Sequence, residues 1–171
     1  MLRQPFRRGS DSLRYRLPGS LSALRGAAIE SAGQLAYRLG RDGIGPDAAL
    51  LLCDPDGVEL FRIDAPGLHL RDSLSIQSES RIVAVIRKVL EPPFREEFRV
   101  DAPGDHVWRA TGRIAASVYA IREGTDTVAS VKATSTAEGG GLDVLVAETA
   151  NPALALIVVV AINELAAPRV D

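Results

Sequence analysis

Cysteine is nearly absent from this 171-residue chain. The single thiol, Cys53, excludes a disulfide framework and any multi-thiolate metal site. Histidine is almost as scarce: His69 and His106 lie far apart in sequence and leave little for a zinc site or a histidine-based catalytic set. Only 5% of residues are aromatic, too few to build both a core and a stacking platform for bases. After the twin Arg7-Arg8 stand Gly9-Ser10-Asp11 rather than an apolar run, so no secretory signal is read. A cytoplasmic location is the expectation.

What is present suits one well-packed domain. The chain is 46% apolar and 25% charged, neither disordered nor fibrous, and too short for two ordinary domains. The net charge of −2 hides an asymmetry. Residues 1–41 carry eight arginines against Asp11 and Glu30, a net of +6, and the rest of the chain carries −8. A basic arm on an acidic body is read either as a contact with nucleic acid or anionic lipid or, in the simpler reading, as a solvated tail. Residues 1–12 are read as a flexible basic arm, and 13–171 as a single domain.

Turn signals recur at a nearly constant interval. Ser31-Ala32-Gly33, Asp54-Pro55-Asp56-Gly57, Ser78-Glu79-Ser80, Asp101-Ala102-Pro103-Gly104 and Glu123-Gly124-Thr125-Asp126 each lie between two short apolar-rich segments, the layout of a β-hairpin. A second set of breakers, including Gly43-Ile44-Gly45-Pro46 and Glu138-Gly139-Gly140-Gly141, interleaves with the first. The two sets describe an up-and-down meander. Strands are predicted over 13–17, 26–30, 34–39, 48–53, 58–63, 72–76, 81–88, 96–100, 106–111, 116–121, 127–133 and 142–146. Leu13, Tyr15 and Leu17 are assigned to the core face of the first, with Arg14 and Arg16 outward. The stretch 81–87 is apolar at both parities and is expected to be covered on both sides. Twelve such strands left flat would expose two long edges, and closure into an all-β, antiparallel barrel removes them.

The last apolar segment, Asn151 to Ala166, is too long for a strand. Asn151 suits a helix N-cap and Pro152 the first helical position. A helix over 152–166 would be apolar all round until Asn163-Glu164, so it must be surrounded. At about 22 Å it is short for the ~30 Å hydrocarbon core of a bilayer. A twelve-stranded barrel is wide enough to hold it.

These features together resemble the Tubby C-terminal-like superfamily, most strongly its LURP-one-related branch. The resemblance rests on a repeated phrase of turn, glycine and then an apolar-aromatic-basic-apolar run. Ile29-Glu30-Ser31-Ala32-Gly33 with Tyr37-Arg38-Leu39 is one copy, and Asp54-Pro55-Asp56-Gly57 with Phe61-Arg62-Ile63 is another. Ile82 to Lys88, Tyr119-Ala120-Ile121 leading to Val128 to Lys132, and Asp143-Val144-Leu145-Val146 before Asn151-Pro152-Ala153-Leu154 extend it over residues 13 to 166. Leu142, Asn163 and Ser80 depart from the aromatic, acidic and glycine residues usual at those places. The resemblance implies a barrel around a central helix.

No catalytic set stands out. His106, Asp105 and one of the serines could be assembled in space, but no nucleophile-elbow signature accompanies them. Cys53, beside Leu51 and Leu52, reads as a small apolar side chain. Asp54-Pro55-Asp56-Gly57 lacks the later ligands of a calcium loop and reads as a turn. Gly139-Gly140-Gly141 leads into a strand, so it is no phosphate-cradling loop. Arg7-Arg8-Gly9-Ser10 has the form of a basophilic kinase site, a four-residue pattern common by chance.

The expectation is therefore a binding module rather than an enzyme, with no cofactor and no metal. Tubby-like relatives bind phosphoinositide headgroups through basic surface residues. The resemblance thus implies an anionic phospholipid ligand, reached by a peripheral membrane contact. Arg14, Arg16 and Arg38 on outward strand faces, with Arg41 on the adjacent turn, are the candidate ligand-binding residues, because a guanidinium fork suits phosphate oxygens. A protein-interaction scaffold is the alternative, and a scramblase-like protein with the helix in lipid a further one. Nucleic acid is disfavoured by the acidic body and few aromatics, and the oligomeric state is left open.

Overall fold

The computed structural model describes residues 12–18, 27–44, 48–64, 73–91, 95–136 and 139–166. Its strands are β1 (Ser12–Pro18), β2 (Ala27–Ser31), β3 (Gln34–Asp42), β4 (Ala49–Cys53), β5 (Glu59–Ile63) and β6 (Ser73–Ser78). The second half holds β7 (Arg81–Glu91), β8 (Arg95–Ala102), β9 (His106–Arg113), β10 (Val118–Glu123), β11 (Asp126–Thr136) and β12 (Gly139–Ala147). One helix, α1 (Pro152–Ala166), follows. Each strand pairs antiparallel with its sequence neighbours, and β1 closes on β12 from Ser12↔Ala147 to Pro18↔Gly141. The fold is a closed twelve-stranded barrel. The arm over residues 1–12 lies outside the described residues except Ser12, which begins β1.

Turn chemistry explains the hairpins. In the β4–β5 turn the Asp54 carboxylate accepts from the backbone N–H of Asp56 (3.0 Å) and of Val58 (2.9 Å), an Asx arrangement that occupies this side chain. In the β6–β7 turn Glu79 and Ser80 hold φ of 50° and 63°, so Ser80 takes the left-handed conformation without being glycine. A short 3-10 turn, Ile114–Ala116, delays β10 to Val118, two residues beyond its predicted start.

The core lies between the sheet's inner face and α1. Ala153 to Ile162 are buried without a break, so the helix is covered on every side. Asn151 caps it as expected, its Oδ1 accepting from Leu154 N–H at 3.2 Å. At the other end the buried Tyr119 hydroxyl donates to Asn163 Oδ1 at 3.2 Å, which ties the helix to β10. Burial raises the Tyr119 phenol pKa well above its ordinary value.

Two expectations about faces need correction. Leu13 has inward parity but is 46% exposed. The β2 chain turns away at Ala32-Gly33, leaving this end of β1 uncovered on that side. The stretch 81–87 is not covered on both sides. Ala84 and Ile86 are buried, but Ile82 is 62% exposed next to the β6–β7 turn, beside a bulge between Ile76 and Gln77. A bulge puts two residues opposite one and breaks the inward alternation there.

Candidate functional site

Tyr15 and Leu17 point into the barrel, and Arg14 and Arg16, alternating with them, project outward, both exposed. The two arginines line a cleft of about 410 Å3 with Glu30, Ser31, Gly33 and Asp143. Arg16 lies opposite Asp143 on one neighbouring strand and Glu30 on the other, its Nε 3.8 Å from the Asp143 carboxylate. Asp143 in turn lies opposite Lys132. Charges therefore alternate along this row. Arg14 makes no ion pair among the described residues, and Ser31 donates its hydroxyl to the Arg14 carbonyl at 2.7 Å.

The other two candidates do not join them. Arg38 is exposed on β3, two strands from β1, where its Nε donates to the Pro55 carbonyl at 3.3 Å. Arg41 is not on a turn but inside β3, opposite the fully buried Leu50 and at the same parity as buried Leu39. It is half-buried and faces inward, because it lies three residues from Arg38 along an uninterrupted strand. Arg14 and Arg16 share one cleft; Arg38 and Arg41 lie apart from it and from each other.

Three constellations were not visible in sequence. Arg62 on β5 is held by Asp42 (2.9 Å), Glu59 (3.0 Å) and Asp64 (3.4 Å), and the bond to Asp42 is the largest influence lifting its pKa further above its already high value. His106 Nδ1 is paired with Glu123 rather than Asp105, beside a cleft of about 510 Å3 floored by Trp108 and Leu154. On the outer face of β7 to β10, Arg87, Arg99, Arg109 and Arg122 stand side by side. Glu59 and Asp64 are local to Arg62, but Asp42, Glu123 and the arginine neighbours lie 10 to 20 residues from their partners, and only the folded sheet reveals them.

The remaining chemistry is sparse. Among the described residues no group of three or more His, Cys, Asp or Glu could hold a metal ion. Burial, then the nearby Glu59 and Asp54 carboxylates, pushes the Cys53 thiol pKa up, which disfavours the reactive thiolate. No hydroxyl or thiol is hydrogen-bonded to His106 among the described residues, and His69 lies outside them. No helix of the described residues is long and apolar enough to cross a membrane.

No known family profile matches the chain, and no curated protein matches it in sequence. In structure it is similar to a LURP-one-related protein from Arabidopsis thaliana, AT5G01750, known from an X-ray structure. The TM-score is 0.63 over 88% of this chain and 89% of that one, with 12% sequence identity. The two share a fold.

Proposed function

We propose that the chain is a LURP-one-related binding module that takes an anionic ligand, a phospholipid headgroup at a membrane surface, and catalyses no reaction. The observation that carries this reading is the exposed pair Arg14 and Arg16 lining one open cleft, with Arg14 free of any ion pair among the described residues. Arg38 lies farther round the same outer surface, and Arg41 is left out because it turns inward. A basic side chain beside an anionic leaflet contributes about 1 kcal/mol. Three such arginines favour acidic over neutral vesicles by roughly 100-fold, somewhat less for Arg16 with its acidic neighbours. A scramblase-like mode would need α1 in lipid, whereas α1 fills the barrel.

The test is sedimentation with vesicles of phosphatidylcholine alone or mixed with phosphatidylserine or a phosphoinositide. Binding to acidic vesicles only, weakening as salt screens charge over a Debye length of about 8 Å, supports the reading. Arg14→Ser/Arg16→Ser/Arg38→Ser should abolish it with little change in melting temperature, since exposed charges add little stability. Equal binding to both vesicles, or to neither, overturns the lipid reading and leaves a protein-interaction scaffold.

A further inference from the structure

The register across four consecutive strands brings four arginines into one line. Arg87 on β7 lies opposite Arg99 on β8, Arg99 opposite Arg109 on β9, and Arg109 opposite Arg122 on β10. All four are exposed, while Ile86, Val100, Trp108 and Ile121 beside them face the core. At a strand spacing of about 4.8 Å the row runs about 14 Å. Ser73 on β6 and Thr127 on β11 continue it with hydroxyls.

Like charges directly opposite one another repel, so this row works against the sheet that carries it. Two acids from β8 brace it. Asp101 contacts Arg99 (3.1 Å) and Arg87 (3.7 Å), and Glu97 contacts Arg109 (2.8 Å). Arg122 makes no ion pair among the described residues. Among the described residues the row keeps an excess of positive charge, unlike the alternating row through Arg16.

The shape of the row selects its partner. Twelve strands complete a full turn, so each is rotated about 30° from the next and four arginines span about a quarter of the circumference. A flat bilayer meets only part of such an arc, whereas a flexible chain follows all of it. The aromatic rings on these strands, Phe98, Trp108 and Tyr119, are buried, so the bases of a nucleic acid would find nothing to stack on. We propose that Arg87, Arg99, Arg109 and Arg122 form a track for a linear chain of phosphoryl groups, an inorganic polyphosphate. Each guanidinium fork donates paired hydrogen bonds to successive phosphoryl oxygens. The track is separate from the Arg14–Arg16 cleft and does not depend on it.

Anisotropy titration of the full chain with end-labelled long-chain polyphosphate tests this, with an end-labelled homopyrimidine oligonucleotide in parallel. Saturable binding to polyphosphate is expected, with a slope of log affinity against log salt near −3 for about four contacts. Arg99→Ser/Arg109→Ser/Arg122→Ser should weaken it at least ~30-fold and flatten the slope toward −1. Arg14→Ser/Arg16→Ser should leave it unchanged, which separates this site from the lipid reading. If the triple variant fails to fold, Arg122→Glu, with no ion pair to lose among the described residues, should still weaken binding several-fold. No saturable binding at low salt, binding indifferent to the row, or tighter binding of the oligonucleotide through the same arginines overturns the proposal.

Discussion

Replacing Leu156 with alanine tests whether α1 is held inside a closed wall. Leu156 is completely buried, in the second turn of the helix. The substitution removes about three methylene equivalents, worth ~2.4 kcal/mol of transfer free energy. A residual cavity of about 75 Å3 at ~24 cal/mol per Å3 adds nearly 2 kcal/mol. The sheet is hydrogen-bonded around its whole circumference and cannot easily collapse into the gap. The expected loss is therefore about 4 kcal/mol, toward the upper end for such changes. For a chain of this length, 1 kcal/mol moves the midpoint by roughly 2–4 °C, so a fall of about 8–16 °C is expected in a thermal melt followed by circular dichroism. Ile82→Ala, at a site 62% exposed, serves as the control and should change stability by no more than ~0.5 kcal/mol. Val159→Asp is the severe version. No charged side chain is buried among the described residues, so its carboxylate would have no partner and soluble expression should fail. A Leu156→Ala melt within about 2 °C of the parent, or soluble, monodisperse Val159→Asp protein, would refute the enclosed helix.

Four further outcomes are expected. Gly112 has φ of +139°, and a Cβ there would sit 2.7 Å from the Val118 carbonyl oxygen and 2.8 Å from Tyr119 Cα, so Gly112→Ala should cost about 3 kcal/mol or more in urea denaturation. Tyr119→Phe removes the hydrogen bond to Asn163 and should cost about 1 kcal/mol by the same measurement. Ser80→Gly relieves a left-handed backbone and should raise stability by up to ~1 kcal/mol; a lower melting temperature would count against the turn geometry. Burial raises the phenol pKa values of Tyr15, Tyr37 and Tyr119, so above pH ~10 the unfolded chain releases protons that the folded chain retains. Stability should accordingly fall with rising pH from about 10 upward, and urea midpoints between pH 8 and 11 should fall less steeply in Tyr119→Phe.

The barrel was legible because its signals are local. Gly57 and Gly104 mark turns by backbone conformation alone, and Asn151-Pro152 announces a helix start whatever surrounds it. Such features place element boundaries to within a few residues, as α1 at Pro152–Ala166 and β1 at Ser12–Pro18 show. Parity is less secure. A strand predicted to end at residue 39 puts Arg41 on the adjacent turn, yet β3 continues through Asp42 and carries Arg41 inward. Leu13 has inward parity but lies where the wall offers no cover, and the bulge beside Gln77 takes Ile82 out of the inward alternation. Alternation records which residues share a face, not where along the strand that face stops being covered.

What surrounds a charge is decided only in three dimensions. Sequence alone determined twelve strands, their turns and an apolar helix that has to be enclosed, because propensity, alternation and capping act within a few residues. Arg87, Arg99, Arg109 and Arg122 are separated by 12, 10 and 13 residues, with no common interval. They form a line because the lengths of the connections between β7 and β10 bring these strands into one register. The same register puts Asp143 and Glu30 against Arg16. A shift of one residue in any hairpin would turn the side chains of that strand to the other face. Tertiary structure therefore decided which arginines stand beside acids and which stand beside one another, since register is a property of paired strands and no single strand carries it.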